Sequence, residues 1–161
     1  MGSSKMSFRE IVCIYQQPLY WYIRRVVLVH EDSEDILQET FLKAYRHLWT
    51  LRSGNALKSW LFKIATNEIK RYFRGRRETV SKDSIPDFET VDQNCISEGK
   101  VSEIISAAVT QMSPLQREVF SLKYYDDMEY DEISRITGAS KNTLMVSYHE
   151  ARKKIEKEIN K

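Results

Sequence analysis

Between Ser33 and Arg77 apolar residues recur every three or four positions in two runs separated by one short loop, and that period makes this stretch a pair of helices. The first run puts Ile36, Leu37, Phe41, Ala44, Tyr45 and Leu48 on one stripe. Ser33 is then the expected N-cap, with Glu34 and Asp35 in the first turn. Asp35, Gln38 and Glu39 project away from the stripe. The second run starts near Leu57, buries Leu61, Ile64, Ala65 and Ile69, and carries Trp60, Phe62, Tyr72 and Phe73 among cations. From Lys58 to Arg77 seven cations face Glu68 alone, a local excess of six, whereas all 161 residues together sum to only +2. Positive charge is therefore concentrated in one strip, and a phosphate backbone is the partner class that fits it best. Trp60 is read as core rather than as a platform for a stacked base.

The flanking sequence extends the same helical pattern. A first helix starts near Phe8 and keeps Ile11, Val12, Tyr15, Leu19, Tyr22, Ile23 and Val26 in register, with a kink or break expected at Pro18. Downstream, Ser113-Pro114 is an N-cap followed by a first-turn proline, and Val119, Phe120 and Leu122 are the apolar positions of that helix. The next helix spans Tyr130 to Thr137 and stops at Gly138. After Ala139, Ser140 caps a long final helix with Leu144, Tyr148, Ala151 and Ile155 on one face. Helix, glycine turn and helix make a helix-turn-helix. The fold class is all-α.

A division into two small units follows from the middle of the chain. Glu78 to Lys100 holds six acids against two lysines, a local charge of −4, together with Pro86, Gly99 and only scattered apolar residues. Such a stretch cannot bury enough apolar surface to order itself and reads as a flexible linker. The expected domains are 7–77 and 101–159, joined by 78–100.

Catalytic chemistry finds no foothold. The sequence has no glycine-rich phosphate loop, no nucleophile elbow and no serine or cysteine beside a base. His30, His47 and His149 do not cluster in sequence, so neither metal nor cofactor is expected. Cys13 and Cys95 stand far apart and read as reduced thiols of a cytosolic protein. No apolar run approaches the roughly 20 residues of a membrane span, so no membrane insertion is expected.

The segments Glu34 to Arg46 (EDILQETFLKAYR) and Ser59 to Asn67 (SWLFKIATN) resemble the second conserved region of bacterial RNA polymerase sigma factors of the extracytoplasmic-function (ECF) type. Met112 to Phe120 (MSPLQREVF), Asp131-Glu132-Ile133 and Tyr148 to Ile155 (YHEARKKI) resemble the fourth region. The likeness covers nearly the whole chain, with both regions in order. It implies a transcription initiation factor, not an enzyme, in the bacterial cytoplasm and associated with the nucleoid. Asp35, Gln38 and Glu39 would then dock on the beta-prime clamp helices of core RNA polymerase, and the beta flap is a second expected contact on the enzyme. The loop Leu51 to Ala56 would capture a flipped base of the minus-ten element. Arg52, Asn55, Lys58, Lys63, Asn67, Lys70, Arg71 and Arg74 would hold the single-stranded non-template strand, with Asn67 reading a base edge. An anti-sigma factor is the expected kind of regulatory partner.

The second region departs from the family pattern. Basic residues usual on the exposed face of the final helix are replaced by Met145, Ser147 and Glu150. Lys141, Asn142, Thr143, Met145, Val146, His149, Arg152 and Lys153 remain as the expected contacts to upstream duplex DNA. Two apolar residues on a groove-facing surface forfeit phosphate attraction, so recognition of a minus-thirty-five element is expected to be weakened or altered. The alternatives are a different upstream element, or recruitment by another DNA-bound protein through Met145 and Val146 or the loop Tyr124 to Met128. A stand-alone helix-turn-helix regulator acting without polymerase is the competing class.

Overall fold

A computed structural model describes residues 6–79 and 100–161, and every regular element among them is helical. The linker residues 80–99, Cys95 included, lie outside the described residues. Among the described residues seven α-helices run in chain order: α1 (Phe8–Val27), α2 (His30–Arg46), α3 (Leu57–Thr79), α4 (Lys100–Thr110), α5 (Pro114–Phe120), α6 (Tyr130–Thr137) and α7 (Lys141–Ile159).

The first unit is a three-helix bundle. Ser7 caps α1 by accepting the Glu10 amide at 3.2 Å. The helix then runs unbroken through Pro18, so the expected break does not occur. The chain leaves α1 through Leu28 in the left-handed conformation and enters α2 directly. This moves the start of α2 three residues ahead of the expected cap. Ser33 is buried inside the helix, where its hydroxyl donates to the Val29 carbonyl at 2.6 Å, and the first-turn acids are Glu31 and Asp32. A serine that bonds back one turn satisfies itself within a helix, which is why it is an ambiguous start signal. Leu19, Tyr22, Ile23 and Val26 of α1 close on Leu61, Phe62, Ala65 and Ile69 of α3, with Ile36 and Ala44 of α2 completing the core. Thr66 donates to the Phe62 carbonyl at 2.8 Å, so the Tyr22 hydroxyl, 2.6 Å from Thr66 Oγ1, is the donor of that pair.

In the second unit α4, unanticipated from the sequence, packs along α7. Ile105, Ala108, Met112, Phe120 and Ala151 form its own core. Ser113 and Gln116 make a reciprocal capping box at the start of α5. Beyond Phe120 the helix widens into a π-type turn over Ser121–Tyr125. Tyr124 and Tyr125 therefore belong to a helical turn rather than to a loop, and Met128 is buried. The helix-turn-helix forms as expected: Gly138 takes a φ of +80° between α6 and α7, and Ser140 accepts the Thr143 amide at 3.2 Å.

The two units are in contact. Val119, Leu122, Met128, Ile133, Ile136 and Leu144 join the core of the three-helix bundle, with α5 against α1 and α6 against α3. Leu122 and Ile133 are thus shared between the units, where a purely local reading assigns them to one alone.

Candidate nucleic-acid interface

One face of α3 carries the strand-contact candidates. Lys63, Asn67, Arg71 and Arg74 are exposed, as are Arg52 and Asn55 in the preceding loop. That loop is shaped by Ser53, whose hydroxyl accepts the Asn55 amide at 3.2 Å and opens a 3₁₀ turn over Gly54–Ala56. Phe62 and Ile69 point the other way and are fully buried, so among the aromatics of α3 Phe62 is core. Lys58 and Lys70 behave differently from the rest of the set. Lys58 is half-buried, and the Lys70 ammonium donates to the Thr137 carbonyl at the end of α6.

Asn67 stands at an open cleft of about 300 Å³, whose other walls are Lys43 of α2, His47 at its C-cap, Thr50 of the 3₁₀ turn that follows, and Trp60, Ile64 and Glu68 of α3. Lys43 and Glu68 form an ion pair in its wall, and Thr50 donates to the His47 carbonyl at 2.7 Å. Trp60 packs on the core and also lines the cleft. Sequence reasoning found Asn67, read Trp60 as core alone, and missed Lys43, His47, Thr50 and Glu68. The four-residue spacing from Lys43 to His47 was the available signal, since it aims both at the same neighbour. A flat wall, an amide and paired opposite charges suit a planar ring system with hydrogen-bonding edges.

The outward face of α2 also differs from expectation. Asp35 and Gln38 are exposed and Glu39 is half-buried. Tyr45, placed by periodicity on the buried stripe, is 63% exposed, although its ring meets Phe8 edge-on at 5.2 Å. Leu42 is 50% exposed and Trp49 82%. Positions 35, 38, 42 and 45 alternate by three and four along α2, so one seam begins polar and ends aromatic, and Trp49 stands beyond its end in a 3₁₀ turn over Leu48–Thr50.

On α7 all eight duplex-contact candidates, Lys141, Asn142, Thr143, Met145, Val146, His149, Arg152 and Lys153, are exposed, with the Lys141 ammonium paired to Asp131. Ser147 is not on that face: it is 8% exposed, one turn from buried Leu144 and Ala151. Glu150 is exposed and accepts Gln116 Nε2 at 2.8 Å. Between α4 and α7 lies an apolar groove of about 530 Å³ lined by Val101, Ile104, Ile105, Phe120, Tyr124 and neighbouring residues. Among the described residues no group of histidine, cysteine and carboxylate side chains is arranged to hold a metal, and no helix is long and apolar enough to cross a membrane.

A three-helix bundle with a cationic face, followed by a helix-turn-helix, defines a helical DNA-binding protein. Residues 12–79 match Sigma-70 region 2 and residues 102–155 match Sigma-70, region 4. The chain belongs to the sigma-70 family and is an ECF-type RNA polymerase sigma factor, a factor of transcription initiation. It is 26% identical to the ECF RNA polymerase sigma factor SigM of Bacillus subtilis over 159 residues, covering 97% of each chain. It is 25% identical to the RNA polymerase sigma-H factor of Pseudomonas aeruginosa over 168 residues, covering 96% of this chain and 87% of that one. Its fold is similar to that of the sigma factor RpoE of Bartonella quintana, solved with the anti-sigma factor NepR, at a TM-score of 0.79 and 23% identity over 95% of this chain and 96% of the other. CnrH, solved with the cytosolic domain of CnrY, matches at a TM-score of 0.63 and 19% identity, covering 95% and 87%.

Proposed function

We propose that this chain directs core RNA polymerase to promoters in the bacterial cytoplasm and opens the minus-ten element by capturing one flipped base with the loop Leu51 to Ala56 and the cleft beside Asn67. The observation that carries this reading is that cleft. It joins an amide, a tryptophan wall and an ion pair to a face bearing Lys63, Arg71 and Arg74. Unstacking a base costs a few kcal/mol, which new stacking and hydrogen bonds must replace. The cations hold phosphate and set register, while the amide reads an edge. Phosphodiester synthesis belongs to the polymerase.

Residues 7–77 and 101–159 act as the two working units joined by 78–100, of which 80–99, between α3 and α4, is the tether. The Asp35, Gln38 and Glu39 face docks on the clamp helices, and the seam through Leu42 and Tyr45, with Trp49 beyond it, extends that contact with an apolar end. The apolar groove between α4 and α7 is the place for the beta flap. Run-off transcription with core polymerase tests the reading as a whole: initiation must require this protein. In a permanganate footprint Asn67→Ala abolishes minus-ten melting while duplex binding persists, and normal melting would remove Asn67 from the site.

For the helix-turn-helix, the apolar side chains of Met145 and Val146 on the exposed face support altered upstream recognition, either of a different duplex element or through recruitment by a DNA-bound protein. Selection of sites from random duplex DNA by holoenzyme decides this, and a strong upstream consensus would overturn recruitment.

A further inference from the structure

Besides Glu132, the described part of the seam between the two units holds two carboxyl groups drawn out of water that belong to no proposed DNA or polymerase contact. Glu118 on α5 is 4% exposed. Asp126, at the end of the π-type turn, has Oδ2 buried with no hydrogen-bond partner among the described residues. Around them the seam is built from specific contacts. The Arg25 guanidinium of α1 lies 3.6 Å from the centroid of the Tyr125 ring and donates to Ser121 Oγ at 3.3 Å. Arg117 Nε donates to the Val26 carbonyl at 2.8 Å, and its Nη1 to Met112 at 2.7 Å. Ser59 donates to Glu132 at 2.5 Å, and Lys70 reaches the Thr137 carbonyl.

We propose that this seam is a proton-linked latch, closed by Glu118 and Asp126 in their neutral forms and loosened when they ionise. An uncharged carboxyl tolerates the apolar surroundings of Val119, Leu122 and Met128; a carboxylate there loses its hydration unless it is fully paired. The groups facing Glu118 are Tyr22 of α1, Lys70 of α3 and its neighbour Arg117; those facing Asp126 are Tyr22 and Arg25 of α1 and Lys58 of α3. These cations favour the charged forms, yet burial outweighs them, raising Glu118 to about 7 and Asp126 to about 6. With the units apart, both carboxyls meet water and titrate near 4. The closed form therefore binds more protons than the open one. It is strongest below pH 4, weakens as the pH rises through 6 and 7, and changes little above that. Each carboxyl weakens the closed form by at most about ten-fold per pH unit within that window.

The latch is independent of the polymerase reading and is tested on the free full-length protein. One dye is placed on the exposed native Cys13 of α1 and one on Lys157→Cys of α7, with Cys95→Ser to keep labelling unique. Energy transfer should report a closed-to-open ratio that falls by about ten-fold or more from about pH 5.5 to about pH 8. In the Glu118→Gln, Asp126→Asn double variant the transfer should stay high across the range. Tyr125→Ala should lower transfer at every pH by removing the Arg25 contact. Far-UV circular dichroism establishes that each variant keeps its helices, and Glu118→Gln alone replaces the double variant where that one fails to fold. Transfer that does not change with pH in the parent chain, or that falls equally in a folded carboxamide variant, would overturn the proposal.

Discussion

At the scale of single residues, two aromatics of the first unit separate stability from function. Phe62 is fully buried, with its ring 5.3 Å from that of Tyr22. Phe62→Ala should cost about 3–5 kcal/mol in urea unfolding, because the surrounding helices relax only partly around the cavity. Trp49, at 82% exposure, should unfold like the parent chain when changed to Ala and instead weaken binding to core polymerase. A Trp49→Ala protein that binds polymerase normally would confine the docking face to Asp35, Gln38 and Glu39. The sequence made Phe62 hard to place, since it sits among lysines in a run where Trp60, Tyr72 and Phe73 are also aromatic. Periodicity fixes a stripe only to within a residue either side, and Tyr45 and Phe62 both lie at its border. Asn67, by contrast, was legible because it stands one turn from both Lys63 and Arg71, on the face opposite the Leu61, Ala65 and Ile69 stripe.

Among the elements, those with chemical punctuation were readable to the residue. Ser113-Pro114, Gly138 and Ser140 each do one thing the backbone requires: a side-chain acceptor, a preset φ or a left-handed turn. Gly138→Ala should accordingly destabilise the helix-turn-helix by about 1 kcal/mol, since any Cβ pays for a positive φ. A thermal melt checks it, and an unchanged midpoint would show that the turn relaxes elsewhere. The nearest atom to a new Cβ there is Lys70 Nζ at 3.8 Å, ordinary contact, so conformation rather than crowding sets the cost. Elements without such marks were misread. α2 begins with no side-chain cap at Val29, and α4 follows an acidic stretch whose composition hid its start. The cleft needed two elements at once, the end of α2 and the middle of α3, so only its α3 half was visible in the sequence.

At the scale of the whole molecule, the shared core sets a geometric requirement on the proposed function. Elements centred near minus ten and minus thirty-five lie roughly 85 Å apart along B-form DNA. With α6 on α3 the two units cannot reach both, so the seam must open before both can be read. The tether then sets the limit. Residues 80–99 fully extended span at most about 70 Å, which with the width of the units themselves is enough. Deleting ten of them cuts the span to about 35 Å. Such a deletion should leave docking on the clamp helices intact, because the face proposed for that contact lies on α2. It should also lower initiation most at promoters where an upstream element is read, while promoters served through a recruiting protein with adjustable position are spared. Run-off transcription on both promoter types distinguishes the cases. Equal loss on both would mean that the tether acts on a step other than reach, and no loss on either would mean that the helix-turn-helix does not engage DNA while the minus-ten element is held.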